Sequence, residues 1–501
     1  MTSGGSNILR SQRERILIFL LCLVAAARVF VFSAAFPFFS NIDEDLHFDL
    51  ITQYSLARVP RSFDRLKEES LNWIVPYASP EFLFSPDQFP QGRFPAPLWK
   101  RAWSEIEPEI AATRNAWSGE INFESSQPPL YYALASGWWW MGKQMGLSGI
   151  QSLYWLRFLN VPLIALVVLL GYLAARAIAP ERVELRLGVP LLLAFIPQNV
   201  FYALNNDVLS PVCCGALYLC VLRWLEPAPP APSLGGFTGL AMAAAYLTKL
   251  SNVPMIVVAA VVVAPRLLQL FRQKPSAGLV ALAGLLFLGV FPAGIWMAWL
   301  AHHFGDVTGS AAKIAFLDWT PKPLASWWRH PIFTPHGLWV FWSDLLASFW
   351  RGEAEWHHQL LDWPVADGFY VISSLVLLLG AVFGLWRKQS ALSAFQRKAM
   401  STALLMVAAG IVFLALLSIQ FDFGRCINPS REHPYFTSGR LLGGALIPFA
   451  LVYVYGVSVL FRRISAALPC IVLGIIVMFV SFSEIKTNWP VFASQHNWYH
   501  R

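Results

Sequence analysis

Membrane-length apolar segments recur along the whole chain, and the short polar connections between them carry most of the basic residues. The first runs from Ile16 to about Phe36; others lie at about 154 to 178, 187 to 204, 208 to 224, 236 to 249, 251 to 265, 278 to 300, 369 to 386, 399 to 419, 439 to 460 and 466 to 483. A helix needs about 20 apolar residues to cross a bilayer core, and in lipid only helices and closed barrels satisfy their own backbone groups. Segments of this length therefore predict an all-α polytopic membrane protein. Composition agrees, with 56% hydrophobic and 13% charged residues, where soluble chains have about 25% charged. The formal charge of +8 is spread over short clusters between apolar runs, which suits cytoplasmic turns and excludes nucleic-acid binding.

Those clusters set the expected topology. Arg10, Arg13 and Arg15 precede the first segment, which is too long for a signal-peptide core and ends in Phe-Pro-Phe-Phe. Arg176, Arg182 and Arg186, then Arg266, Arg272 and Lys274, then Arg387, Lys388, Arg397 and Lys398, then Arg462 and Arg463 all fall on the same side if the segments alternate. That side is read as the cytoplasm. Residues 37 to 153, 205 to 207, 301 to 368, 420 to 438 and the tail from 484 are then outside. The apolar run from Gln127-Pro128-Pro129 to Met141 would reverse every later cluster if it crossed, so it is expected as a partial, re-entrant or tilted helix. About 11 crossings result, or up to 13 if short helices are missed. The segments 236 to 249 and 251 to 265, joined at Lys249-Leu250-Ser251-Asn252, are short enough to form one interrupted element.

Three regions are expected: a membrane module 1–300 that includes the long outer loop 37–126, an outer loop 301–368, and membrane helices with a tail over 369–501. Loop 37–126 holds 14 acidic and 8 basic residues, broken by prolines and rich in Trp and Phe, which suits a lid or groove wall against the membrane. Five of the six cysteines, all but Cys426, lie in apolar segments, so no loop disulfide is available within the chain, and Cys213-Cys214 reads as small apolar filler.

Candidate chemistry centres on Asp43-Glu44-Asp45 and His47, at the outer end of the first segment. Close like charges raise at least one pKa and help a carboxylate act as a base; the plainer reading is an acidic, hydrated helix end. Asn205-Asn206-Asp207 opens a later segment and can simply cap it, yet alternation returns Asp207 to the face that carries Asp43. Candidate cations near that face are Lys249, Lys313, Arg351, Arg425, Arg431 and Arg440. Arg440 offers a bidentate fork to phosphate, Lys249 a point charge, and interface anchoring is the competing role of Arg440. Arg28, midway along the first segment, is expected to pair with a carboxylate inside the bundle. His302-His303, His357-His358 and the many tryptophans read as loop packing and interface belts.

In order along the chain, Asp43-Glu44 with His47, Gln127-Pro128-Pro129-Leu130-Tyr131-Tyr132, Asn206-Asp207, Thr248-Lys249 and Gly439-Arg440 resemble the GT-C class of membrane glycosyltransferases. The likeness is to bacterial polyprenyl-phosphate-sugar-dependent enzymes, in a DUF2142-like branch; Gly439-Arg440-Leu441 departs from the pattern in lacking an aromatic after the arginine. The resemblance implies a GT-C-like bundle whose module 1–300 is catalytic, with its active site on the periplasmic side of the bacterial inner membrane. It implies inverting transfer of a sugar from a polyprenyl-phosphate or pyrophosphate donor to a cell-envelope glycan or lipid. Asp43 is then the expected base with Glu44 next; His47, Gln127, Asp207, Lys249 and Arg440 are expected to bind substrate, and Asp43 and Asp207 to hold Mg2+ or Mn2+. A glycolipid transporter or flippase is the alternative, although the chain shows no internal repeat.

Overall fold

A computed structural model describes residues 3–39, 43–387, 392–424, 426 and 428–500. Each expected apolar segment lies wholly or in part on a helix: Ser3–Ala35, Gly149–Arg157 with Asn160–Ile178, Val183–Phe195, Ser210–Leu225, Ser233–Thr248, Val253–Gln273, Pro275–Leu285 continuing through a π-turn into Phe291–Phe304, Pro364–Trp386, Ala394–Gln420, Leu446–Phe461 and Leu468–Asn488. Among the described residues, nine helices are long and apolar enough to cross a membrane. Val183–Phe195 and Ser233–Thr248, with 13 and 16 residues, are shorter. The expected segment 187 to 204 is corrected in its second half: the helix stops at Phe195 and the chain continues to a 3-10 turn, Asn199–Tyr202. Pro197 explains the stop, because its ring disfavours helical backbone at Ile196.

The bundle has a centre and a rim. Gly439–Phe461 is buried over 83% of its most apolar stretch, whereas Pro275–Phe304 is buried over only 17%. The rim helix exposes Phe287, Val290, Phe291 and Ile295, as a lipid-facing surface does. It packs closely on Ser233–Thr248 through Gly239, where a Cβ would lie 2.7 Å from the Leu285 oxygen and 3.0 Å from the Gly289 nitrogen. Arg28 has the carboxylate partner expected of it, with Nη1 2.5 Å from Glu484 Oε1 and 3.0 Å from the Tyr202 hydroxyl. The two elements meeting at Lys249 are separate helices, since Lys249 is extended and a 3-10 turn, Leu250–Asn252, leads into Val253–Gln273.

The long loop is built of short helices, Glu44–Ser55, Glu68–Tyr77 and Trp103–Trp117, and of 3-10 turns that open on Pro86 and Pro90. Buried Asp49 ties these pieces together. Its carboxylate accepts from the Ser70 hydroxyl at 2.6 Å, the Asn122 amide at 2.8 Å, the Gln53 amide at 2.8 Å and the Lys67 backbone N–H at 3.0 Å. The helix Leu130–Gln144 has 15 residues, about 22 Å at 1.5 Å per residue, which falls short of a hydrocarbon core of about 30 Å.

Candidate functional site

Two carboxylate–cation pairs form where helix ends meet the long loop. Asp43 sits at the N-cap of Glu44–Ser55 in a left-handed conformation, φ 57° and ψ 27°, which Asp tolerates better than most residues. Its Oδ2 lies 3.1 Å from Arg440 Nη2. Arg440 stands at the start of a 3-10 turn, Gly439–Ala445, that leads into the central helix. The turn approaches the neighbouring helix so closely that a Cβ on Gly439 would fall 2.0 Å from the Phe349 nitrogen. Only glycine fits there, and the Gly439 N–H donates to the Ser348 hydroxyl at 3.0 Å. Arg440 Nε also lies 3.4 Å from Glu353, which accepts from the Ser438 hydroxyl at 2.9 Å.

Lys249 and Asp207 make the second pair, 2.5 Å apart. The Asn205 side chain caps the Asp207 N–H at 3.0 Å, so the capping role read for this motif is present alongside the ion pair. Asp207 Oδ2 is buried without a hydrogen-bond partner. The Asn206 amide donates to Gln127 Oε1 at 3.0 Å, and Gln127 in turn donates to Glu124. Glu124 is 2.5 Å from Lys313, which joins the segment 301–368 to the loop 37–126. The ring of His47 meets the Tyr132 hydroxyl at 2.8 Å.

Electrostatics makes one cluster of these contacts. Arg440 lies in the field of Asp43, Glu353 and Asp207, and His47 in that of Glu124, Asp43, Lys249 and Arg440. Burial drives the His47 imidazole down to about 4, so the ring is neutral at pH 7. Burial also opposes ionisation of Glu124, but Lys313 above all outweighs it and holds that carboxyl at about 2. Burial raises Glu353 despite Arg440, and burial together with Asp43 raises Asp45 to about 7.

Asp43, His47, Gln127, Asp207, Lys249 and Arg440 thus come together. Glu44 requires a correction. It is wholly buried and turned away, with Oε1 held by Arg157 Nη2 at 2.7 Å and by the Leu204 N–H at 2.9 Å, and Oε2 by the Phe39 N–H at 3.0 Å. A carboxylate so engaged positions the loop and is no candidate base. The metal role of Asp43 and Asp207 does not fit the donor set either. Each aspartate is held by a different cation, a divalent ion between them would face both Lys249 and Arg440, and among the described residues no group of three or more His, Cys, Asp or Glu is placed to hold a metal.

Of the other candidates, Arg351 pairs with Asp367 at 2.9 Å and Arg431 with exposed Asp422 at 2.9 Å. Arg425 lies outside the described residues. His302 meets His303 edge-on and His303 lies tilted against Trp299, while His357 and His358 occupy a tight turn with φ 54° and 59°. Sequence reasoning missed Glu124, Glu353 and Arg157. Arg157 carried the same signal as Arg28, a lone arginine in a membrane segment; Glu124 is three residues before Gln127, and Glu353 follows Gly352 at a helix end.

Fold and site together define a polytopic helical membrane protein with an ionic centre where helix ends meet the long loop. The chain belongs to the DUF2142 family: residues 27–425 match the model described as "Predicted membrane protein (DUF2142)". No curated protein matches the sequence. Two solved structures are similar to it. One is the archaeal oligosaccharyltransferase AglB from Archaeoglobus fulgidus in complex with an inhibitory peptide and a dolichol-phosphate, with 13% identity, a TM-score of 0.41, and coverage of 97% of this chain and 56% of that one. The other is the Archaeoglobus fulgidus oligosaccharyltransferase in the apo form, with 13% identity, a TM-score of 0.37, and coverage of 94% and 55%. The chain spans little more than half the length of either.

Proposed function

We propose that this protein is an inverting membrane glycosyltransferase. It moves a sugar from a polyprenyl-phosphate-linked donor to a cell-envelope glycan or lipid acceptor, on the periplasmic face of the bacterial inner membrane. The reading is carried by one observation: residues 43, 207, 249 and 440 meet as two adjoining carboxylate–cation pairs at helix ends. The order of the motifs, which resembles that of the GT-C class, supports it.

In this mechanism the donor phosphate competes with Asp43 for the Arg440 guanidinium, a fork suited to phosphate oxygens. Releasing Asp43 from its cation frees the carboxylate to accept a proton as the donor arrives. The acceptor hydroxyl then attacks the anomeric carbon and its proton passes to Asp43. The bond from that carbon to the phosphate oxygen breaks, and the leaving phosphate keeps the electron pair. Lys249 and Arg440 stabilise the charge that develops on it. A single displacement inverts the anomeric centre, and no step passes through a metal.

Purified protein is tested with a labelled polyprenyl-phosphate sugar. Transfer to an acceptor is expected, and Asp43→Asn lowers it by about 10²- to 10⁴-fold, the usual contribution of a general base, with folding retained. Ordinary turnover by Asp43→Asn removes Asp43 from this role. Movement of the donor between leaflets without a new glycosidic bond assigns the protein to the flippase class instead.

A further inference from the structure

The opposite face of the bundle holds a second basic site. The stretch Asn206–Leu225 begins beside the ionic centre and is 20 residues long, so its two ends are about 30 Å apart, a full bilayer core. At the far end, an open cavity of about 400 Å3 lies against Leu225, Val262 and Pro265 on one side and Arg266, Arg397 and Lys398 on the other, with Ser401 and Thr402 completing it. The volume falls in the range of about 300–1,000 Å3 typical of small-ligand sites.

Among the described residues, the cavity lining contains three cations and no acid. Arg266 is fixed in place: Nε donates to the Trp224 carbonyl at 2.8 Å, Nη1 donates to Gln269 at 2.8 Å, and Nη2 meets the Glu226 carbonyl. It closes the end of Ser210–Leu225 and keeps its charge at the cavity wall. Arg397 and Lys398 leave the first turn of Ala394–Gln420, which is set by a capping box between Ser393 and Gln396 and by the Gln396 amide donating to Glu181 at 2.8 Å. That turn carries no acidic residue, so the positive end of its helix dipole adds to the same field. Basic charge against an apolar wall at a membrane surface matches a phosphate ester linked to an acyl glycerol.

We propose that this cavity binds the phosphate headgroup of an anionic phospholipid from the adjoining leaflet. The site is separate from the proposed transfer reaction and does not depend on it. The apolar wall of Leu225, Val262 and Pro265 selects a lipid over free phosphate.

The test titrates the full-length protein in detergent with phosphatidylglycerol, phosphatidylcholine or inorganic phosphate and counts bound molecules by native mass spectrometry. One phosphatidylglycerol is expected to bind at least tenfold more tightly than phosphatidylcholine. The double variant Arg397→Ala, Lys398→Ala is expected to lose roughly 25-fold, at about a fivefold loss per cation. Ser401→Trp plugs the cavity, keeps all three cations, and is expected to lose the same lipid; it serves if the double variant fails to fold. Arg463→Ala, exposed beyond the end of Leu446–Phe461 and outside the cavity, is expected to bind within twofold of wild type. Equal loss in Arg463→Ala, retention of lipid by Ser401→Trp, or displacement by inorganic phosphate at matching concentration would each overturn the proposal.

Discussion

Replacing Glu44 with Gln tests whether two neighbouring acids have the opposite roles proposed for them. Glu44 and Arg157 both have 0% side-chain exposure, and Glu44 accepts from the arginine, from the Leu204 N–H and from the Phe39 N–H. Glutamine keeps the shape but removes the charge and puts an N–H2 where an acceptor stood. Arg157 then remains buried without its counter-charge, and breaking such a pair from one side costs about 3–5 kcal/mol. Unfolding entropy of about 2.1 cal/mol/K per residue over the whole chain gives about 1 kcal/mol/K. The melting temperature should therefore fall by about 3–5 °C, and by more if the cooperative unit is smaller than the chain. Asp43→Asn breaks a pair with 26% and 20% exposure, for which about 1 kcal/mol is the appropriate scale, so its melt stays within about 1 °C while transfer collapses. The assay is thermal unfolding of the two variants and wild type in one detergent at one heating rate, paired with the transfer assay. If Glu44→Gln melts with wild type, or if Asp43→Asn is the variant that melts early, the division between a structural Glu44 and a reactive Asp43 is wrong.

Gly239→Val should destabilise by about 1–3 kcal/mol, because the added Cβ meets only backbone atoms, whereas Gly294→Val, with open space around it, should melt like wild type. Lys249→Ala leaves Asp207 buried without its cation and should cost about 3 kcal/mol or more; the double variant with Asp207→Asn should recover most of that loss in the same melt. His47 titrates near 4 when folded against an ordinary value near 6.5, so the unfolded chain binds the extra proton first as pH falls. Its contribution is absent above pH 6.5 and lowers stability progressively to pH 4, by up to roughly 3 kcal/mol; His47→Asn should flatten that part of the stability profile. Transfer should survive EDTA, since the donor set at Asp43 and Asp207 does not suit a metal; full loss on chelation with recovery on adding Mg2+ would contradict the charge arrangement described here.

The bundle was largely open to sequence reasoning because each membrane helix satisfies its own backbone and needs only a long apolar run. The helix ends were less accessible. Pro197 was visible in the sequence, but the apolar character of residues 196 to 204 hid the stop at Phe195, since those residues are buried by neighbours rather than carried on a helix. The site showed the same contrast. Asp43, Asp207, Lys249 and Arg440 all fall at junctions between apolar and polar sequence, where ionisable groups stand out. Glu124 and Glu353 lie in polar loops, where an acid looks like any solvated residue until the fold buries it.

The two neighbouring acids show where that kind of reasoning stops. Asp43 is a left-handed N-cap and Glu44 the first residue of the helix, and the two carboxylates take different arginines. Where each one points depends on the position of a cation, and the cations come from distant parts of the chain. Arg157 is 113 residues from Glu44 and takes it inward. Arg440 is 397 residues from Asp43 and holds it at the rim of the centre with about a quarter of its side chain exposed. The partial exposure matters for chemistry, because a carboxylate sealed against a buried arginine cannot receive a proton from an acceptor. One held at the surface by a cation that also suits phosphate can be released when phosphate binds. Under the proposed reaction, the difference between a structural acid and a reactive one therefore lies in the second partner of each arginine: backbone carbonyls of Phe36 and Pro37 for Arg157, and the neighbouring acid Glu353 for Arg440.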